Sequence, residues 1–109
     1  MTEERNGHSF SKKVMQVFID ELEKDLRFAE NAFGSKAAPA AADVKEGAIR
    51  FHKTKGAAAF LGFDPIAQLA ASLENIFLMG DFDFSKEQEE ILTSIIKLKA
   101  MANDIRKDY

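Results

Sequence analysis

Cysteine and tryptophan are absent from this 109-residue sequence, and proline and histidine occur only twice each. Without cysteine the chain can form no disulfide, no thiolate zinc site and no cysteine nucleophile. No apolar run approaches the roughly 18 residues that span a membrane. The polar start MTEERNGHSF lacks the apolar core of a signal peptide. We therefore expect a cytoplasmic protein without a membrane segment.

Positive charge is not in excess either. The 15 lysines and arginines are outnumbered by 18 aspartates and glutamates, for a net charge of −3. Nucleic-acid binding needs a basic surface, so no nucleic-acid partner is expected. The length predicts one domain over residues 1–109. A chain this short has no room for separate cofactor and substrate domains, and it contains no glycine-rich phosphate loop.

Apolar residues recur at steps of three and four along most of the chain. This period predicts four amphipathic helices, at about residues 9–33, 40–60, 65–79 and 86–107. No segment alternates with a period of two, so no strand is predicted. Because short connections favour antiparallel neighbours, the sequence predicts an all-α protein, an antiparallel up-down-up-down four-helix bundle.

Local signals refine this prediction. Asp64 is expected to cap the third helix, with Pro65 as its first residue. Ser85 and Gln88 have the spacing of a capping box for the fourth helix. The apolar positions of the first helix, which we expect to face the core, are Phe10, Val14, Val17, Phe18, Leu22, Leu26, Ala29 and Phe33.

The segment around His52 is the part of the chain that points to chemistry. In a helix, Lys55 and Gly56 lie beside His52, because they follow it by three and four residues. A partly exposed neutral imidazole is a nucleophile near pH 7. A neighbouring ammonium can offset the charge of phosphoryl oxygens, and a glycine lets another protein approach closely. The arrangement therefore suits the transfer of a phosphoryl group between proteins.

This segment resembles the histidine phosphotransfer domain of two-component signalling. In that family a histidine is followed by lysine three, glycine four and glycine ten residues later. His52, Lys55, Gly56 and Gly62 match this pattern. The resemblance implies that His52 is the phosphorylated nucleophile, that Lys55 stabilises phosphoryl charge, and that Gly56 lies where partner proteins approach.

Residues 69–77, with the sequence LAASLENIF, resemble the helix that follows the phosphorylation helix in chemotaxis-type histidine kinases. The resemblance implies that Glu74 hydrogen-bonds the imidazole and favours the tautomer whose other nitrogen attacks phosphate. Two positions depart from the pattern. Ala71 stands where chemotaxis-type domains usually carry a second histidine, which reduces the expected hydrogen-bond network. Thr54 replaces the usual leucine or isoleucine, and its burial is tolerable because its hydroxyl can bond a backbone carbonyl one turn back.

The implied function is that of a two-component phosphotransfer module. His52 would accept a phosphoryl group from a histidine kinase catalytic domain, or from a receiver aspartate. It would pass the group to the aspartate of a response-regulator receiver domain. The domain would hold no cofactor or metal of its own, because ATP and magnesium would be supplied by the partner domains. We expect a monomer; whether the chain is free-standing or belongs to a larger histidine kinase stays open.

Two other classes remain as alternatives. A non-catalytic adaptor bundle would bind a receiver domain without being phosphorylated, and the presence of His52 with its lysine and glycine neighbours argues against it. A di-metal bundle would need a glutamate three residues before each histidine. Ile49 and Arg5 stand at those positions, which disfavours a metal site. His8, in the polar N-terminal segment, is expected to be inert.

Overall fold

The computed structural model describes residues 11–108, and all regular structure in this range is helical. The four helices are α1 (Lys12–Phe33), α2 (Ala41–Leu61), α3 (Asp64–Leu78) and α4 (Phe84–Asp108). Four helices without a strand in this range confirm the predicted all-α class. None of these helices is both long and apolar enough to cross a membrane. The predicted helical positions 9 and 10 lie outside the described residues.

Two of the helix ends follow directly from local chemistry. Ser11 caps α1, because its hydroxyl accepts a hydrogen bond from the backbone N–H of Val14 at 3.1 Å. Gly62 ends α2 with a φ of 87°, in the left-handed region that glycine adopts without a steric penalty. Only Gly62 and Phe63 separate α2 from α3. Because this turn is so tight, α3 packs directly against α2.

The start of α3 differs from the prediction. Asp64 is the first residue of the helix, and the preceding Phe63 occupies the capping position without a side-chain hydrogen bond. The predicted cap at Asp64 was therefore wrong. Pro65 still lies in the first turn, where its missing N–H costs no helical hydrogen bond. The carboxylate of Asp64 in this turn also suits the positive end of the helix dipole.

The start of α4 also differs, because it is capped by Asp83. Its Oδ1 accepts hydrogen bonds from the backbone N–H of Ser85 at 3.1 Å and from the Ser85 hydroxyl at 2.8 Å. The predicted capping box of Ser85 and Gln88 was therefore wrong. Instead, Gln88 Nε2 donates to the carbonyl oxygens of Phe33 at 3.1 Å and Ser35 at 2.8 Å. This side chain joins the start of α4, just after its first turn, to the end of α1.

The apolar faces of all four helices share one core. Its aromatic centre is Phe77. The centre of the Phe77 ring lies 4.8 Å from the centre of the Phe33 ring and 6.2 Å from the centre of the Phe51 ring. Such ring pairs contribute about 0.5–1.5 kcal/mol beyond the burial of their area. The largest fully buried side chains are Phe33, Phe51, Met15, Ile19, Leu22, Leu73, Ile91, Ile95 and Leu98.

The buried stripe of α1 is rotated from the predicted one near its start. Val14 and Val17 are 43% and 53% exposed, so their predicted burial was wrong. Met15 and Ile19 are fully buried instead. Both valines fit the three-and-four spacing of the apolar residues, but so do Met15 and Ile19. The spacing alone could not decide which of the two stripes faces the neighbouring helices.

Contacts between helix ends show which ends lie together. The ring of Phe18, near the start of α1, stacks on that of Phe63, just after α2, at 5.6 Å. Arg106, in the last turn of α4, donates to Asp20 of α1 at 2.7 Å. The start of α1, the end of α2 and the end of α4 therefore meet at one end of the domain. The middle of α2, which carries His52, lies between α1 and α3.

Candidate functional site

His52 lies on the exposed side of α2, with 66% of its side chain accessible to solvent. Its Nδ1 atom is 2.8 Å from Oε2 of Glu74 on α3. Lys55, one turn further along α2, donates from Nζ to the other oxygen of the same carboxylate, Oε1, at 2.7 Å. The structure thus brings together three residues that the sequence singled out. A single carboxylate holds both α2 side chains.

The position of Glu74 follows from the packing of α3. Leu73 and Phe77 are buried against the core, so the adjacent Glu74 lies at the edge of the buried face. Only 11% of its side chain is exposed. The carboxylate thus reaches α2 without becoming fully solvated. Although 22 residues separate His52 from Glu74, the tight turn after α2 places them in contact.

The electrostatics of this contact assign the tautomer of His52. The hydrogen bond from the Lys55 ammonium holds the pKa of Glu74 below its ordinary value; partial burial opposes this, and the bond to His52 adds to it. Glu74 is therefore ionised near neutral pH, and an ionised carboxylate can only accept hydrogen bonds. It follows that Nδ1 of His52 carries the hydrogen. In the neutral ring, Nε2 then carries no hydrogen and keeps its lone pair on the side away from Glu74.

A shallow groove of about 240 Å³ adjoins His52 on the α3 side. Its walls include Ala48 and two exposed apolar side chains, Ile49 at 46% and Leu78 at 63% exposure. Lys53 adds a positive charge at its rim. A largely apolar surface beside an exposed imidazole can contact another protein while leaving the ring accessible.

The two glycines inside α2 have different surroundings. A Cβ atom at Gly47 would lie 3.0 Å from the ring of Phe77, so this glycine allows close packing. A Cβ atom at Gly56 would meet nothing within 4 Å. Packing within this domain therefore gives no reason for glycine at position 56. Its backbone is open to solvent one turn beyond His52.

Ala71 and Thr54, the two positions that depart from the family pattern, have different surroundings in the structure. Ala71 is half-buried and carries no polar atom, so its side chain cannot extend the network beyond Glu74. Thr54 is 5% exposed, and its hydroxyl donates to Oδ2 of Asp25 on α1 at 2.9 Å. Thr54 is therefore buried, and its hydroxyl bonds a carboxylate of α1 rather than a backbone carbonyl of α2. Asp25 was not among the site residues predicted from the sequence, although it interrupts the apolar stripe of α1 between Leu22 and Leu26.

Within residues 11–108, no three histidine, aspartate or glutamate side chains come together in a way that could hold a metal ion. His8 lies outside the described residues. At the exposed side of α2, the imidazole of His52 and its two charged neighbours, Glu74 and Lys55, form one hydrogen-bonded group. In the part of the chain that the structure describes, these features define a class of protein: a helical domain that presents an exposed histidine hydrogen-bonded to a carboxylate.

Comparison with known proteins identifies the family within that class. The family model for the Hpt domain matches residues 13–108, nearly the whole chain. The chain therefore belongs to the Hpt domain family, which has a phosphotransfer role in two-component signalling. No curated protein and no solved structure matches the chain.

Proposed function

We propose that His52 is the residue that carries the phosphoryl group. Its Nε2 lone pair would attack the phosphorus of ATP bound to a histidine kinase catalytic domain, or of a receiver phospho-aspartate. An N–P bond forms while the bond to ADP or to the aspartate carboxylate breaks. The group then passes to the aspartate of a response-regulator receiver domain, which restores the Nε2 lone pair. The observation that carries this proposal is the exposed imidazole whose Nδ1 contacts an ionised carboxylate.

The proposal gives Glu74 and Lys55 separate roles. Glu74 keeps the proton on Nδ1 throughout the transfer, which leaves Nε2 free to react. Lys55 offsets negative charge on the phosphoryl oxygens as they arrive beside His52. In the unphosphorylated domain its ammonium is paired with Glu74 at 2.7 Å, and 37% of its side chain is exposed. A long, half-exposed side chain can change partner at small cost when a second anion binds next to it.

The proposed partner surface surrounds His52. It combines the apolar groove at Ile49 and Leu78 with the open backbone at Gly56. Both the donor and the acceptor are protein domains, so the surface must admit each in turn. ATP and magnesium belong to these partner domains in our proposal, and the domain itself acts as a cytoplasmic monomer.

We also propose a subtype and a topology. Glu74 in its Leu-Glu-Asn context supports a phosphotransfer domain of the chemotaxis-kinase type, with a smaller hydrogen-bond network because Ala71 carries no imidazole. The pairing of helix ends supports an antiparallel up-down-up-down bundle. The start of α1 lies near the end of α2 through Phe18 and Phe63, and Gln88 joins the start of α4 to the end of α1.

The test of this function is phosphorylation of the purified domain by phosphoramidate, and by a histidine kinase with radiolabelled ATP. The wild type should acquire an acid-labile, base-stable label and lose it to a receiver domain. His52→Gln should take no label. His8→Gln is the matched control, because it removes the only other histidine, and it should be labelled normally. A wild type that binds a receiver but takes no label would show an adaptor instead.

A further inference from the structure

A second carboxylate contacts α2 from the side opposite Glu74. Asp25 of α1 is 8% exposed. Its Oδ1 accepts from Nη1 of Arg50 at 2.9 Å, and its Oδ2 accepts from the Thr54 hydroxyl at 2.9 Å. Arg50 precedes His52 by two residues and Thr54 follows it by two. The phosphotransfer chemistry described above uses none of these three side chains.

The two carboxylates hold the same short stretch of α2. At 100° per residue, positions 50 and 54 each point about 160° away from position 52, on the opposite side of the helix. Asp25 therefore holds this stretch from the α1 side, while Glu74 holds His52 from the α3 side. Rotation of α2 about its axis would therefore displace Arg50 and Thr54 relative to Asp25 and, at the same time, His52 relative to Glu74. The pair of contacts thus defines the direction in which His52 points.

Arg50 is itself held in place by two further contacts. Its Nε donates to Glu46 Oε2 at 2.9 Å, one turn earlier on α2. Its guanidinium lies 4.6 Å from the centre of the Phe28 ring on α1. The bond to Asp25 is thus made by a guanidinium whose position is fixed by its neighbours. The bond between Arg50 and Asp25 therefore couples the position of α2 to that of α1.

The buried carboxylate of Asp25 is not the group that would stabilise the folded state most at this position. Burial raises the pKa of Asp25, and the hydrogen bonds from Thr54 and Arg50 offset this only in part. Well-packed apolar groups at such positions are often as stabilising as a buried charged network. Hydrogen bonds, however, require defined distances and angles, whereas apolar contacts tolerate sliding. A polar network between α1 and α2 therefore contributes a defined orientation.

We propose that Asp25 is a positioning residue for phosphotransfer: through Arg50 and Thr54 it sets the rotation of α2 and so keeps His52 within hydrogen-bonding reach of Glu74. This inference rests on the proposed function of His52 for its kinetic test only. Its structural test, the tautomer of the imidazole, requires no phosphorylation.

The experiment compares two changes at this network with two controls. Thr54→Val keeps the shape of the side chain and removes only the hydroxyl, and Asp25→Asn removes the charge. Thr54→Ser retains the hydroxyl. Glu30→Gln breaks an exposed ion pair between α1 and α4, to Lys99 at 2.7 Å, and leaves the α1–α2 contact untouched.

Two measurements are made on each folded variant. In ¹⁵N NMR spectra of the imidazole, Thr54→Val and Asp25→Asn should reduce the Nδ1–H tautomer fraction of His52, and both controls should keep the wild-type fraction. The rate of labelling by the kinase should fall about fivefold in Thr54→Val and more in Asp25→Asn, because small displacements of a reacting group cost large factors in rate. Thr54→Ser, which retains the hydroxyl, should show the wild-type tautomer fraction and the wild-type labelling rate.

The outcomes separate this inference from the proposed function. If folded Thr54→Val retains the wild-type tautomer fraction and labelling rate, Asp25 serves stability alone and the inference is wrong. If Asp25→Asn does not fold, the comparison of Thr54→Val with Thr54→Ser still tests the inference. If the wild type takes no label, the phosphotransfer proposal fails, and the tautomer measurement alone decides whether Asp25 positions His52.

Discussion

Replacing Glu74 by glutamine tests the central contact of the site with the smallest change of shape. Glutamine can still accept one hydrogen bond, but it lacks the charge that attracts both the Lys55 ammonium at 2.7 Å and the His52 Nδ1–H at 2.8 Å. Its amide can also rotate and present N–H₂ to the ring, which would favour the other tautomer. Glu74→Gln should therefore reduce the fraction of His52 whose Nε2 is ready to react.

The size of this effect follows from the strength and exposure of the contact. A hydrogen bond to a charged group contributes roughly 1.5–3 kcal/mol when it is shielded from water. The side chain of Glu74 is only 11% exposed, but that of His52 is 66% exposed, so water competes at the ring. We therefore expect about 1 kcal/mol, which corresponds to about a fivefold slower phosphorylation.

The assay is single-turnover labelling of the domain by kinase and ATP, with ¹⁵N NMR of the imidazole as a second readout. Glu89→Gln is the matched control, because it removes the same charge from an exposed position on α4. It should be labelled at the wild-type rate. Unchanged kinetics and an unchanged tautomer fraction in Glu74→Gln would refute the role of the carboxylate, provided that the variant is folded by circular dichroism.

The remaining predictions concern the glycines of α2 and the effect of pH. Gly56→Ala should raise the free energy of unfolding by about 0.5–1 kcal/mol, because alanine favours the helix more than glycine does and the new Cβ meets nothing within 4 Å. Because the new methyl group would lie on the proposed partner surface, the same variant should slow phosphotransfer from protein partners. It should not slow labelling by the small molecule phosphoramidate. Gly47→Ala is its counterpart: it should lower stability by about 1 kcal/mol, because the new Cβ would press on the buried ring of Phe77. Urea unfolding measures both, and a loss of stability in Gly56→Ala would contradict the first. Because the pKa of Glu74 is lowered in the folded state, its stabilising contribution is present above a pH of about 4.5 and is lost as the pH falls through the lowered pKa. Wild type should therefore lose stability more steeply than Glu74→Gln below that pH, and parallel curves would contradict the assignment.

The helices could be predicted because their signals are local. Steps of three and four between apolar residues follow from the helical repeat, whatever the helix packs against. The same repeat places Lys55 and Gly56 beside His52 from their spacing along the chain alone. The errors arose where alternatives satisfied the same local rule. Asp83 rather than Ser85 caps α4, since both are good caps and only the path of the chain distinguishes them.

Other features depended on how the helices rotate against one another. Val14 and Val17 fit an amphipathic stripe as well as Met15 and Ile19 do, and the contacts made by α1 select the latter pair. Asp25 reads in the sequence as one of many acidic residues. Its role as the acceptor for Arg50 and Thr54 exists only because α1 and α2 are in contact at that point.

The sequence by itself determined the all-α class and the spacing of His52, Lys55 and Gly56, because helix geometry converts distance along the chain into position around an axis. The resemblance implied the bond from His52 to Glu74, but tertiary structure alone decided that the same carboxylate also bonds Lys55 and that Asp25 holds the opposite side of α2. The physical reason is that these hydrogen bonds join different helices. Their formation depends on the relative rotation and distance of whole elements, which the joint packing of the core sets and no local pattern encodes.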